Sequence, residues 1–159
     1  MVRRDSAILD ALVDGGIGGG VATMVMSLVT LGARHAGLVG ELPPLRLAAA
    51  LLDAVGVRAR PRWARDTLAA VLHLGFGVAA GSLFGLVCGR LRAPLAPALQ
   101  GMAYGVVVWL ISYMGWVSAL GLLPVATRDE PRRPVVMVLA HLVYGAAQGA
   151  LVARGHRRR

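Results

Sequence analysis

The charged residues of this chain fall into short clusters separated by four long uncharged stretches, at 15–33, 67–89, 93–127 and 134–153. About 20 residues of helix cross a hydrocarbon core of roughly 30 Å, and each stretch reaches that length. The pattern predicts an all-α fold, an integral membrane four-helix bundle. The spans fall at about 14–33, 67–89, 98–117 and 135–153, in a single membrane domain over 1–159. The third uncharged stretch is longer than one span needs and too short for two. Pro94 and Pro97 mark the turn before it. Trp109, Tyr113 and Trp116 share one face of its helix, with the last two at the interface depth that aromatic rings favour.

A different pattern occupies 45–57. Leu45, Ala48, Leu51, Leu52 and Val55 recur at helical spacing, with Arg46 and Asp53 on another face. This is an amphipathic segment too short to span, starting after Pro43 and Pro44. It lies either along the membrane surface or against the end of the bundle, since periodicity does not distinguish lipid from protein as the apolar partner. A basic connection follows, with Arg58, Arg60, Arg62 and Arg65 around Trp63.

Two segments match without gaps. His73-Leu74-Gly75-Phe76-Gly77-Val78-Ala79-Ala80-Gly81-Ser82-Leu83 aligns with His141-Leu142-Val143-Tyr144-Gly145-Ala146-Ala147-Gln148-Gly149-Ala150-Leu151. The first and third spans match more weakly, with Gly20 and Ala22 opposite Gly101 and Ala103. The simplest origin is a duplicated two-helix hairpin with the amphipathic segment inserted between the first two spans. Both copies then have the same orientation, related by an axis along the membrane normal, as in some transporters. Glycines recur four apart on every span: Gly16 and Gly20; Gly77, Gly81 and Gly85; Gly101 and Gly105; Gly145 and Gly149. Small residues at that spacing let helix backbones approach in lipid. Most of these serve packing within the monomer, and a homo-oligomer surface is the other use open to them.

Composition sharpens this picture. The chain has 159 residues, 57% of them hydrophobic, and a net charge of +9. All 17 basic residues are arginines, and many sit at the ends of apolar runs, where lipid headgroups and topology hold them. That placement argues against nucleic acid as the partner and for the lipid bilayer. The lone cysteine, Cys88, cannot form an internal disulfide. The first apolar run reads as a retained helix, since Asp5, Asp10 and Asp14 precede it. Four spans put both termini on one side. Eight arginines lie on that side and nine on the other. The arginines nearest the membrane, in the turn at 90–97 and the tail at 154–159, favour cytoplasmic termini in a bacterial inner membrane.

Polar groups inside the spans are few: His73, Gln100, His141 and Gln148, with Asp14 at an edge. They form the candidate polar site, because intramembrane polar residues mark function more often than surface ones do. At about 1.5 Å per residue, both histidines lie roughly 10 Å in from one interface. Each precedes glycines by four and eight residues, so each points along the close-packed face. Three roles compete. Each imidazole can hydrogen-bond a neighbouring helix through backbone or a hydroxyl such as Ser27, Thr30 or Ser112. The pair can form a polar or proton-responsive site for a small-molecule ligand. It can also ligate a haem between helices. Two nitrogens are too few for a closed zinc site, and no metal site is assigned. No acidic residue lies well inside a span, which weighs against a proton-coupled multidrug transporter. No nucleophile with a partnering base, no H-E-x-x-H and no phosphate loop are visible, so the chain reads as a non-enzyme. Thr127-Arg128-Asp129-Glu130 reads as a solvated turn with paired charges.

On four features the chain resembles the YagU-like family of uncharacterised bacterial inner-membrane proteins. They are Glu41-Leu42-Pro43-Pro44 after a glycine-rich first span, His73 opening the second, Gly121-Leu122-Leu123-Pro124 leaving the third, and His141-Leu142-Val143-Tyr144 in the fourth. The fourth span lacks the acidic ending expected of that family, and the basic tail also departs from it. The resemblance implies a small multi-pass inner-membrane protein and carries no reaction with it. The combined expectation is a non-enzymatic role in transport, stress tolerance or envelope support. The alternative is a haem- or metal-bearing subunit using His73 and His141.

Overall fold

A computed structural model describes residues 2–57, 61–88 and 94–157, with side chains described for 6–57, 61–87 and 94–155. Arg58, Arg60, Arg90, Arg92 and the last arginines of the tail lie outside the described residues, as does the side chain of Cys88. The elements are all helical: α1 (Val2–His35), α2 (Pro43–Ala54), α3 (Arg62–Cys88), α4 (Pro97–Trp109) running directly into a π-helical segment (Leu110–Val117), and α5 (Arg132–Arg157). Four of them are long and apolar enough to cross a membrane: Ser6–His35, Arg62–Val87, Pro97–Val117 and Arg132–Gly155. The architecture is the four-helix membrane bundle that the charge-free stretches predict. Leu9, Ile17, Met24, Leu28, Val71 and Leu139 stay exposed on its flanks, as a lipid-facing surface requires.

The helices outrun their uncharged cores. α1 begins at Val2, well before the apolar run, and α3 begins at Arg62. Nothing in these flanks breaks a helix, so hydrogen bonding continues past the point where hydropathy falls. The stops are of the expected kind. α1 ends before Gly37, whose φ of +69° only glycine tolerates easily, with Pro43 and Pro44 then opening α2.

The helices associate as two tight pairs, α1 with α3 and α4 with α5, and α1 joins the pairs by packing on α5. The α3 and α4 backbones stay mostly apart, joined by side chains such as Phe84 and Tyr104, and a gap is left between the pairs at one end of the bundle. α2 packs on α3 across that end. It divides along its length: Ala48 is fully buried, whereas Leu51 and Val55 remain exposed. The amphipathic helix therefore meets the bundle through one part of its face and leaves the rest exposed.

The third span departs from a uniform α-helix. Its second half widens to a π-helix, with Gly115 at non-helical φ −95° and ψ −112°. Ser112 Oγ donates to the Val108 carbonyl at 2.7 Å, and Ser118 Oγ donates to the Tyr113 carbonyl at 2.6 Å. Such side-chain bonds occupy backbone acceptors where the regular ladder loosens. The wider turn carries Tyr113 into a core cluster with Val39, Val117, Leu123 and Met137.

Candidate functional site

The gap between the helix pairs is a half-open cavity of about 390 Å³, walled by α1, α3, the π segment and α5 and closed on one side by the start of α2. Its volume falls within the range of roughly 300–1,000 Å³ typical of small-molecule pockets. His73 from α3 and His141 from α5 both line it. His141 is buried, and its Nδ1–H donates to the Met137 carbonyl at 2.7 Å. A carbonyl only accepts, so the neutral ring carries its lone pair on Nε2. His73 is half-buried and makes no hydrogen bond among the described residues. No third histidine, cysteine or carboxylate joins them in a group able to hold a metal ion, among the described residues.

The other two candidate polar residues are elsewhere. Gln148 is fully buried away from the cavity, where α1, α3 and α5 meet. Its Nε2 donates to the carbonyls of Gly15 at 3.0 Å and Gly81 at 3.2 Å. Its Oε1 lies close against Gly18, where a side chain would crowd it. Gln148 thus fastens three helices together. Gln100 lies at the opposite end of the bundle, where its Nε2 donates to the Leu95 carbonyl at 2.7 Å beside the start of α4. Seven residues after His141 is two helical turns, which sets Gln148 on the same face but about 10 Å along the axis, beyond the cavity.

The packing glycines fall on the two tight pairs. A Cβ at Gly77, Gly81 or Gly85 would collide with α1, and one at Gly101, Gly105, Gly145 or Gly149 would collide across the α4–α5 contact. On α1 the closest approach belongs to Gly15 and Gly19. Gly16 and Gly20 flank it, facing Ser82 and Val78 side chains. The two pairs have the same four-residue spacing, so spacing does not choose between them; the rotation of α1 about its axis does. Hydroxyls add bonds both between the pairs, from Tyr144 and Tyr104 to α3, and within one, from Ser82 to α1. Tyr144 donates to the Gly77 carbonyl at 3.0 Å, Tyr104 to that of Ala80 at 2.7 Å, and Ser82 to that of Leu12 at 2.9 Å.

The turn Thr127-Arg128-Asp129-Glu130, which reads as solvated in the sequence, holds a partly buried network instead. Asp129 lies in the loop before α5, and its side chain is only 2% exposed. It accepts a hydrogen bond from the Tyr113 hydroxyl, and Arg133 Nη1 binds it at 2.6 Å. Burial pushes the Asp129 carboxyl up, but hydrogen bonds from Tyr113, the Glu130 backbone and Arg133 outweigh it and hold the group below its usual range. The i,i+4 spacing of Asp129 and Arg133 was the available signal; the loop's return over the π segment, which buries the pair, was not visible.

Fold and cavity together define a multi-pass helical membrane protein with an interhelical chamber near one end. The chain belongs to a family of unknown function, DUF6789, whose pattern matches residues 9–159. No curated protein and no solved structure matches it.

Proposed function

We propose that this is a non-enzymatic protein of a bacterial inner membrane that holds a membrane-soluble small ligand in the cavity around His73 and His141. The role would be transport, stress tolerance or upkeep of the envelope. The observation that supports this reading is the cavity, into which two otherwise scattered intramembrane histidines converge. An environment-sensitive apolar fluorophore tests it. The purified protein in neutral detergent should bind one probe per chain, and Ser27→Phe, which places a ring in the cavity, should abolish that binding. Unchanged binding by the filled variant would remove the cavity from the function.

The same reading includes cytoplasmic termini and a duplicated hairpin. Duplication draws support from matching contacts: a Cβ at Gly19 would meet the Gly77 carbonyl and Gly81 nitrogen, and one at Gly101 would meet the Gly145 carbonyl and Gly149 nitrogen. The α1 counterpart of Gly101 in this pairing is Gly19, one residue before the Gly20 of the sequence alignment. The kinship with the YagU-like family belongs to this proposal too.

A cofactor reading is favoured by one detail. The His141 ring is oriented through Nδ1 by a backbone carbonyl, the arrangement that metal-binding imidazoles commonly use. The absorption spectrum of the purified protein distinguishes the two. A Soret band lost in both His73→Ala and His141→Ala would replace the ligand-holding proposal with a haem subunit; a colourless, metal-free protein discards the cofactor.

A further inference from the structure

The lining of the cavity narrows the chemistry of its occupant. Six hydroxyl residues contribute to the wall; Tyr113 donates to the Asp129 carboxylate, and the other five have committed their protons to backbone. Thr23 donates to Gly19, Ser27 to Thr23, Thr30 to Met26 and Ser27, Ser112 to Val108 and Trp109, and Tyr144 to Gly77. No hydroxyl proton is left to solvate a polar solute. Between these groups the wall is apolar, with Leu31, Leu45, Leu72, Phe76 and Met137. Away from the two imidazoles, a hydrophilic solute would lose water along this wall without replacement, at a cost that hydrocarbon does not pay.

The rim is different. Arg34, Arg65 and Asp66 reach the cavity there, with Glu41 and Arg46 adjoining. Arg65 binds Glu41 at 3.1 Å and Asp66 at 3.3 Å. Arg46 lies 3.9 Å from Glu41 and donates through Nη1 to the Leu122 carbonyl at 2.9 Å. Three arginines thus meet two carboxylates, and Arg34, in the last turn of α1, is the one without an ion pair among the described residues. An uncompensated guanidinium at the mouth of a proton-poor apolar chamber matches a molecule with one negative end and a hydrocarbon body.

We propose that the cavity binds a single-chain amphiphile with an anionic head group, the head at Arg34 and the chain running past Phe76 toward His73 and His141. This rests on the cavity being a ligand site, as argued above, and adds the class of ligand. A carboxylate head and a phosphate head share the required chemistry.

Native mass spectrometry of the full chain, released from neutral detergent, tests this with three probes: oleate, lysophosphatidylglycerol and zwitterionic lysophosphatidylcholine. The expected result is one bound oleate or lysophosphatidylglycerol per chain, at least roughly ten-fold tighter than lysophosphatidylcholine, as loss of a charge-assisted bond would give. Whichever anion binds tighter identifies the head as carboxylate or phosphate. Arg34→Gln should erase the preference while Arg34→Lys keeps it. Equal binding of all three probes, or a preference that survives Arg34→Gln, overturns the anionic assignment while leaving the cavity intact as a site. Ser27→Phe should abolish binding of every probe. Ala70→Phe, from the opposite wall, replaces it if the first variant does not stay monodisperse. Full binding by a filled variant would instead sink the cavity reading itself.

Discussion

At Gly81 the absence of a single methyl group decides whether two helices can meet. Its α-carbon faces α1 so closely that a Cβ would lie 2.6 Å from the Gly19 Cα. In lipid, burying leucine gains nothing over acyl chains, so close backbone approach and the dispersion it brings supply much of the helix association. Gly75, on the same helix, faces outward, and a Cβ added there would meet nothing within 4 Å. Gly81→Val should therefore destabilise the folded protein by about 1–3 kcal/mol or more, whereas Gly75→Ala should be neutral or slightly stabilising by helix propensity. Reversible unfolding in mixed micelles reads both, and equal effects would show that the α1–α3 contact is not the tight one. Which glycines mattered was only partly legible. The four-residue spacing was plain in the sequence, yet it fits Gly16 and Gly20 as well as Gly15 and Gly19.

At the scale of elements, the π segment and the loop before α5 act together. The π turn presents Tyr113, the loop returns over it, and Asp129 is caught between Tyr113 and Arg133. The carboxylate depends on these partners, and leaving a partly buried charge without its hydrogen-bonded partner costs about 1–3 kcal/mol. Asp129→Asn should destabilise by that order near neutral pH. The pH dependence has a definite sign. The folded carboxyl titrates below the unfolded one, so its contribution is whole above about pH 4, the ordinary aspartate range, and disappears as the pH falls through the folded value. Wild-type stability should thus decline on the acid side of about pH 4, and Asp129→Asn should remove that part of the decline. An unchanged acid limb in the variant would show that the pair is solvated after all. The turn Thr127-Arg128-Asp129-Glu130 looks solvated in sequence because burial of a loop depends on what folds over it, which no local pattern records.

Across the whole molecule, the two helix pairs part at one end and leave the chamber that α2 partly covers. Its end of the bundle also carries Glu41, Arg46, Arg65 and Asp66, opposite the chain termini. With cytoplasmic termini, this end opens outward, and a C-terminal alkaline phosphatase fusion should be inactive. High activity would invert the topology and turn the chamber toward the cytoplasm. The sequence by itself determined the number of spans, the helical class and the site of the amphipathic helix. Those follow from lengths of uncharged residues and from periodicity, which act within one segment at a time. It also picked out His73 and His141, because an imidazole in an apolar run is rare enough to be noticed alone. Tertiary structure decided the rest. It separated Gln148 and Gln100 from the histidines, chose Gly15 and Gly19 over their neighbours, widened the third span to a π-helix and buried Asp129. Each depends on how one helix is rotated and offset against another. That arrangement is set by the sum of many contacts between distant parts of the chain, and no single stretch of sequence contains it.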